Sequence, residues 1–374
     1  MESIKKLFKT YPTTIGVIKL LVFLYLFFLS LGMMGGALKL YGKDVAVQLI
    51  EATTNPFIGL FIGILATSVI QSSSSTTSIV VGMVAAASSA SGNSDSIIQL
   101  AIPIIMGANI GTSVTNTIAS LPQINRSNEF QRAFAAATVH DFFNLLAVML
   151  LFPLQLATNF LGHAAHFMGD LFSGVGGLSF LSPVKAITKP VVSIMKDSFG
   201  KELPWLMLVL ALIILLLSLK YMVATLKVLV VEKAKAWFDK VLFKTDLRAF
   251  SVGTLLTILV QSSSITTSLV VPMAGAGILR LRQIFPYTLG SNIGTTVTAM
   301  LASLITGNIA AVIVAFSHLL FNVTGIVLLW PFKKIPIKLA EKFSEYSVKS
   351  KLIPVAYVLV MFFIIPLIVI AVAG

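Results

Sequence analysis

The sequence predicts an all-α polytopic membrane protein made of two inverted-topology repeats, each with a re-entrant helical hairpin and a discontinuous transmembrane helix. The first observation behind this prediction is composition, because 57% of the 374 residues are hydrophobic and only 11% are charged. With a mean hydropathy of +0.96, the chain cannot be an ordinary soluble domain. The second observation is an internal duplication, in which QSSSSTT at Gln71–Thr77 returns as QSSSITT at Gln261–Thr267.

Two further motifs repeat in the same order, and only the connecting segments between them shorten. The spacing between the two copies falls from 190 residues to 183 and then 178 along these pairs: Gln71 with Gln261, Asn109–Thr112 with Asn292–Thr295, and His140 and Asn144 with His318 and Asn322. The predicted organisation is a first repeat at 1–160, an extracytoplasmic linker at 161–204, a second repeat at 205–331, and a cytoplasmic basic segment with a final transmembrane helix at 332–374.

The first repeat begins with a crossing at Ile15–Met34. The apolar stretch 56–87 is interrupted by the QSSS motif, which leaves two arms that are each too short to span, so a hairpin is predicted there. A broken helix at 97–121 follows, interrupted at Asn109–Thr112, and then a continuous helix at Phe130–Leu154.

The second repeat has the same order, and one more apolar span follows it. Its predicted elements are a crossing at Trp205–Leu226, a hairpin at 250–277, a broken helix at 283–304, a helix at Ile309–Trp330 and the final span at Ile353–Val372. Each half then crosses three times, and an odd number makes the two repeats inverted.

The distribution of basic residues predicts the orientation. Segments assigned to the cytoplasm (1–19, 122–132, 220–248, 278–283 and 332–352) carry 21 Lys or Arg, and the segments assigned outside (37–56 and 158–204) carry 6. This asymmetry places the N-terminus inside and the C-terminus outside. The excess of basic residues follows membrane topology and is not interleaved with aromatics on one soluble face, so nucleic-acid binding is not expected.

Several chemistries are excluded by the residues that are missing. The chain has no cysteine, so disulfides and thiolate chemistry are absent. Its four histidines form no metal-ligand pattern, and no cofactor is expected.

The QSSS motifs predict binding of ions of both signs. A serine-capped helix start presents free N–H groups and a partial positive charge, which suit an anion. The carbonyls of the arm that ends there, with the Gln71 or Gln261 amide oxygen, are hard ligands suited to sodium. One such serine run alone more often serves helix–helix packing, but its duplication favours a ligand-binding site. The threonines that follow each run can instead bond back to their own helices.

Asp141 is the one acidic residue of 14 that falls well inside a predicted crossing. An intramembrane carboxylate is a functional hypothesis by default. His140 and His318, taken alone, are more simply explained as satisfied core histidines. Since no Lys or Arg lies at a matching depth, a bound anion would need backbone N–H groups, hydroxyls and co-bound cations to offset its charge.

At these motifs the chain resembles the type II sodium-phosphate cotransporters of bacteria and animals. The resemblance is carried by the paired QSSS motifs, IPIIMGANIGTSVTNT at Ile102–Thr117, RAFAAATVHDFFN at Arg132–Asn144 and GSNIGTTVTA at Gly290–Ala299. It implies phosphate uptake driven by inward sodium, an inverted-repeat core and alternating access at a midplane site. A bacterial inner membrane is the expected location.

The resemblance also implies a set of ligands. The expected phosphate contacts are Ser72, Ser73, Ser74, Ser262, Ser263 and Ser264, with Asn109 and Asn292. The expected sodium ligands are Gln261, Ser262, Ser291, Thr295 and Thr298, with Gln71, Thr112 and Thr115 in the first half and Asp141 with Asn144 at an additional site. An aspartate at 141 is typical of electrogenic members, and it implies three sodium ions per divalent phosphate.

Other functions compete with this interpretation. A sodium-coupled carrier of another oxyanion or a dicarboxylate is the alternative of the same class, because helix N-termini and serines do not specify phosphate. An intramembrane enzyme with a serine nucleophile and a histidine base is disfavoured, because an active site seldom needs two copies of its nucleophile. A passive channel is a third reading. Phosphate, sodium and lipid are the expected partners, and the oligomeric state stays open, with a homodimer of independently functional protomers as one expectation.

Overall fold

The structure, a computed structural model, describes residues 12–40, 54–91, 93–174, 182–226 and 243–373, and these residues contain helices and no strand. The helices of the first half are α1 (Pro12–Leu40), α2 (Pro56–Ile70), α3 (Ser73–Ser91), α4 (Ser94–Thr112), α5 (Val114–Ser120) and α6 (Ser127–Thr158). The helices that follow are α7 (Phe160–Gly174), α8 (Ser182–Met195), α9 (Pro204–Leu226), α10 (Asp246–Val260), α11 (Ser263–Gly275), α12 (Leu281–Thr306), α13 (Ile309–Leu329), α14 (Lys334–Ser347), α15 (Leu352–Leu359) and α16 (Ile365–Ala373).

Within the described part of the chain, six segments are long and apolar enough to cross a membrane, which confirms the all-helical membrane fold. They are Thr14–Ala37, Ser94–Gln123, Ser127–Thr158, Pro204–Met222, Ile309–Leu329 and Leu352–Ala373. The predicted crossing in α12 is not among them, although that helix has 26 residues, and its polar middle accounts for the difference.

Burial separates central from peripheral helices. In the most apolar stretch of Ser94–Gln123, 89% of the residues are buried, against 28% in Thr14–Ala37 and 17% in Leu352–Ala373. The α4 segment therefore lies at the centre of the molecule. The first and last spans bury a much smaller share of their most apolar stretch, as expected for helices that face lipid.

The predicted breaks at both QSSS motifs are confirmed. Helix α2 ends at Gln71 and α10 ends at Gln261, and both glutamines adopt the left-handed conformation, with φ of 56° and 55°. Their backbone N–H groups donate to Thr67 and Thr257, four residues earlier. The chain then restarts as α3 and α11, so each predicted hairpin is a pair of helices joined at its polar tip.

The prediction of two discontinuous helices is only partly correct. In the first half the interruption falls at Ser113, one residue beyond the predicted Asn109–Thr112. In the second half the prediction is wrong, because α12 runs without a break through Asn292–Thr295.

The polar residues of α12 are satisfied without unwinding the helix. The Ser291 hydroxyl donates to the Tyr287 carbonyl at 3.1 Å, and Thr295 donates to Ser291 at 3.0 Å. Bonds to the carbonyl four residues back are the ordinary way in which Ser and Thr persist inside a helix. Asn292 turns its amide to His140 and Asn144 of α6 instead, so a helix break is unnecessary.

The duplication is visible in how the helices pack. Gly107 of α4 lies so close to α2 that a Cβ atom would collide with the Leu60 carbonyl, and Gly290 of α12 meets the Phe250 carbonyl of α10 in the same way. Only glycine allows this backbone approach. The first arm of each hairpin is thus locked against the long helix of its own half.

The second arms are fastened to the opposite half. The Asn308 side chain, at the start of α13, donates to the Ala85 carbonyl near the end of α3 at 3.2 Å. Arg132 of α6 donates to the Gly275 carbonyl at the end of α11, with Nε at 3.0 Å. Each hairpin therefore bridges the two halves.

The remaining elements surround this core. The predicted linker contains α7 and α8, and its residues 175–181 lie outside the described ranges. Many of the basic residues behind the predicted orientation also lie outside the described ranges, because 1–11, 41–53 and 227–242 are not described. The amphipathic helix α14 packs on α6 through Phe343, which contacts Phe134 and Phe142.

Candidate functional site

The helix start at each hairpin tip is capped by one serine hydroxyl. The Ser72 hydroxyl accepts from the Ser75 N–H at 3.2 Å, and Ser262 accepts from the Ile265 N–H at 3.4 Å. These N-caps leave the N–H groups of the first two residues of α3 and of α11 without a hydrogen bond to any described residue. A helix start with free N–H groups carries a partial positive charge and suits an anion.

The two tips touch each other reciprocally. The Ser74 hydroxyl donates to the Gln261 carbonyl at 3.3 Å, and Ser264 is directed at the Gln71 carbonyl at 3.5 Å. Both serines are buried, with 3% and 5% of their surface exposed. Two of the six predicted phosphate-binding serines, Ser74 and Ser264, therefore each contact the tip of the opposite half.

The predicted sodium ligands of the second half are partly assembled. The Thr298 hydroxyl donates to the Gln261 amide oxygen at 2.7 Å, which links the hairpin tip to α12. Ser291 and Thr295 lie on the same helix, buried, with their hydroxyls bonded to its backbone. These oxygens are hard ligands of the kind that sodium prefers.

The corresponding residues of the first half are less connected. Thr112 donates to the Ala108 carbonyl at 2.9 Å. The Thr115 hydroxyl is buried and has no partner among the described residues, and the Gln71 side chain is exposed. The structure therefore does not join Gln71 to Thr115 as it joins Gln261 to Thr298.

A chain of buried side chains links α11 to α4 across both halves. It runs through Thr267 to Asn116 at 2.8 Å, Asn116 to His140 at 3.2 Å, His140 to Asn292 at 2.7 Å, Asn292 to Asn144 at 2.9 Å, and Asn144 to the Asn109 carbonyl at 2.8 Å. Two predicted phosphate ligands, Asn109 and Asn292, thus belong to this network, and His140 is a satisfied core histidine. Asn116 was not predicted, although it lies two helical turns beyond Asn109.

The second half lacks this network. Both ring nitrogens of His318 and the Asn322 amide oxygen are buried without a partner in the described part of the chain. The position that corresponds to Asn116 is Ala299, 183 residues later, which has no side-chain donor. The two repeats have therefore diverged in the polar residues behind their tips.

Asp141 is the only fully buried carboxyl group among the described residues, where no Lys or Arg side chain is buried. Its Oδ2 accepts from the Thr117 hydroxyl at 3.1 Å and from the Tyr357 hydroxyl at 3.2 Å. The Oδ1 atom has no partner among the described residues. Asn144 lies one turn further along α6 but bonds to Asn109 and Asn292 instead.

The arrangement combines anion and cation chemistry in a region where no Lys or Arg of the described residues is buried. Helix starts and serine hydroxyls can bind an oxyanion, while amide, hydroxyl and carboxylate oxygens can bind small cations. Within the described ranges, no three His, Asp or Glu side chains cluster as a transition-metal site would require.

Comparison with known proteins is consistent with this chemistry. Residues 26–180 and 214–330 match the model of a family described as Na+/Pi-cotransporter. Sodium-dependent phosphate transport protein 2B of Homo sapiens is 34% identical over 450 residues, which cover 94% of this chain and 64% of that protein. Sodium-dependent phosphate transport protein 2A of Ovis aries is 34% identical over 446 residues, covering 97% and 68%.

The chain thus spans slightly less than two thirds of the length of the 2B relatives. No solved structure matches it.

Proposed function

This chain belongs to the Na+/Pi-cotransporter family, whose members are transporters and not enzymes, and from this premise we propose that it is a secondary active symporter that imports inorganic phosphate with sodium. The observation that carries the proposal is the reciprocal contact of the two QSSS tips, from Ser74 to Gln261 and from Ser264 to Gln71. It supports a single substrate site made by both repeats.

Phosphate binds where the two helix starts meet. Free N–H groups of α3 and α11 and the serine hydroxyls donate to its oxygens, with Asn109 and Asn292 behind them. Because no buried Lys or Arg in the described ranges balances its charge, a dianion is stable there only with cations nearby. Sodium coupling therefore has an electrostatic cause.

Sodium binds beside the tips through neutral oxygens and one carboxylate. Gln261, Ser262, Ser291, Thr295 and Thr298 form one site, supported by the 2.7 Å contact between Thr298 and the Gln261 amide oxygen. The first-half residues Gln71, Thr112 and Thr115 form the counterpart.

Asp141 and Asn144 hold an additional sodium ion, and the open Oδ1 atom of Asp141 supports this assignment. Three sodium ions then move with each divalent phosphate, so transport is electrogenic.

Transport proceeds by alternating access around this midplane site. The two repeats are inverted, and the helix pairs α2–α3 and α10–α11 are re-entrant hairpins. The N-terminus is cytoplasmic in a bacterial inner membrane, and each protomer functions independently, in a homodimer or alone. Counting α12 as a crossing gives each half three crossings, and this odd number supports the inversion.

Uptake of labelled phosphate into proteoliposomes tests the proposal. Concentrative uptake that requires an inward sodium gradient is the expected result. Arsenate, sulfate and a dicarboxylate are added as competitors, and arsenate alone should compete strongly because it shares the shape and charge of phosphate. Equilibration without sodium would indicate a facilitator, and strong competition by the dicarboxylate would reassign the substrate.

A further inference from the structure

Tyr357 reaches the candidate sodium site from outside both repeats. It lies on α15 in the last span, beyond residues 26–180 and 214–330, where the family match falls. Its hydroxyl donates to Asp141 Oδ2 at 3.2 Å, across 216 residues of sequence. In the described structure this is the direct polar contact between the final span and the buried carboxylate.

The tyrosine ring is held firmly enough to direct its hydroxyl. Phe343 of α14 packs against it with ring centroids 4.8 Å apart, and Phe362 contacts it at 5.9 Å. Phe343 in turn contacts Phe134 and Phe142 on α6, the helix that carries Asp141. An aromatic cluster therefore connects Tyr357, the donor, to the helix that carries Asp141, the acceptor.

The contact makes the two oxygens of the Asp141 carboxylate differ in their hydrogen bonding. Oδ2 receives hydroxyl donors from both Thr117 and Tyr357, whereas Oδ1 is buried without a partner among the described residues. A carboxylate oxygen buried in this way is costly unless a ligand satisfies it. Two donors on one oxygen also fix the rotation of the group, so the other oxygen is presented in a constant direction.

We propose that Tyr357 is a positioning residue for sodium binding, which holds Asp141 so that Oδ1 faces the ion. This inference rests on the proposed sodium coupling and adds to it that the C-terminal span takes part in the site. A hydroxyl suits this role because it orients the carboxylate without neutralising it. A Lys or Arg in its place would compete with the cation.

The test variant is Tyr357→Phe, which removes the hydroxyl and keeps the ring that Phe343 and Phe362 contact, so the fold should persist. Tyr346→Phe is the matched control, because Tyr346 lies on α14 and is 56% exposed. Sodium is titrated at saturating phosphate in proteoliposomes, and then phosphate at saturating sodium. A second measurement follows the sodium-induced rise in thermal stability of the purified proteins without phosphate.

For Tyr357→Phe, we expect the half-saturating sodium concentration to rise roughly tenfold or more, as for loss of one hydrogen bond to a charged group. Half-saturation by phosphate should change less than about twofold, since this contact touches only the cation site. In an Asp141→Gly background, Tyr357→Phe should not change the half-saturating sodium concentration further.

Wild-type sodium dependence in Tyr357→Phe would overturn the inference, as would an equal effect in the Asp141→Gly background. A lack of sodium-driven uptake by the unmodified protein would instead overturn the proposed function. The stability measurement would still decide whether Tyr357 contributes to sodium binding.

Discussion

The Ser74 hydroxyl donates to the backbone carbonyl of Gln261 at 3.3 Å, although the two residues lie in different repeats, 187 positions apart. The same bond in mirror order runs from Ser264 to Gln71. Each repeat therefore completes the tip of the other. We therefore predict that a ligand bound at either helix start contacts atoms from both halves.

Asp141→Gly should leave the fold and some phosphate uptake intact while lowering the charge moved per phosphate by about one elementary charge, because the carboxylate is the charged group of one cation site. Current and labelled phosphate are measured on the same proteoliposomes. Asp170→Asn, on the exposed surface of α7, is the control. Unchanged current per phosphate in Asp141→Gly would remove Asp141 from the set of cation ligands.

The two repeated histidines should differ in their effect on stability. His140→Leu leaves Asn116 and Asn292 without their partner, so we expect a loss of about 2 to 5 kcal/mol in the free energy of unfolding. His318→Leu replaces a buried ring that has no partner among the described residues, so the free energy of unfolding should change by less than about 1 kcal/mol or increase. Unfolding in detergent measures both changes. Equal losses in the two variants would mean that the hydrogen bonds of His140 contribute no stability beyond the burial of its ring.

Gly290→Ala should be strongly destabilising, because the new methyl group meets the Phe250 carbonyl and forces α10 away from α12. Forced overpacking of this kind costs about 1 to 3 kcal/mol or more. Gly35→Ala in α1 is the control, since a Cβ there has open space around it. Yield of monodisperse protein and its unfolding temperature are the measurements, and a Gly290→Ala variant as stable as the control would contradict this packing.

The sequence predicted the structure correctly where polar residues inside an apolar segment can be accommodated in only one way. A run of hydroxyls at Gln71 and Gln261 inside apolar segments, followed by residues that favour helix N-caps, predicts a helix break, and the break is found at those residues. The pairing of the two tips also followed from the repetition. Within each copy of the motif, the hydroxyl run and the residues that favour an N-cap lie within a few residues of one another.

Elsewhere the same residue types are compatible with two local structures, a helix break or an unbroken helix. Asn292–Thr295 could break α12, or its side chains could bond to their own turns and to α6. The second outcome depends on His140 and Asn144, which lie in the other repeat. The contact of Tyr357 with Asp141 is tertiary and involves a span outside the duplication, so no repeat-based argument could find it.

Equilibrium binding of labelled phosphate at saturating sodium tests the shared site most directly. The purified protein is compared with Ser74→Ala and Ser264→Ala, and with Ser78→Ala and Ser268→Ala, which remove hydroxyls one turn further along α3 and α11. We predict that one phosphate binds per chain, with affinity lowered roughly tenfold by either tip substitution and unchanged in the two controls. Two phosphates per chain, or a tip substitution that leaves the affinity unchanged, would contradict a single site built by both repeats.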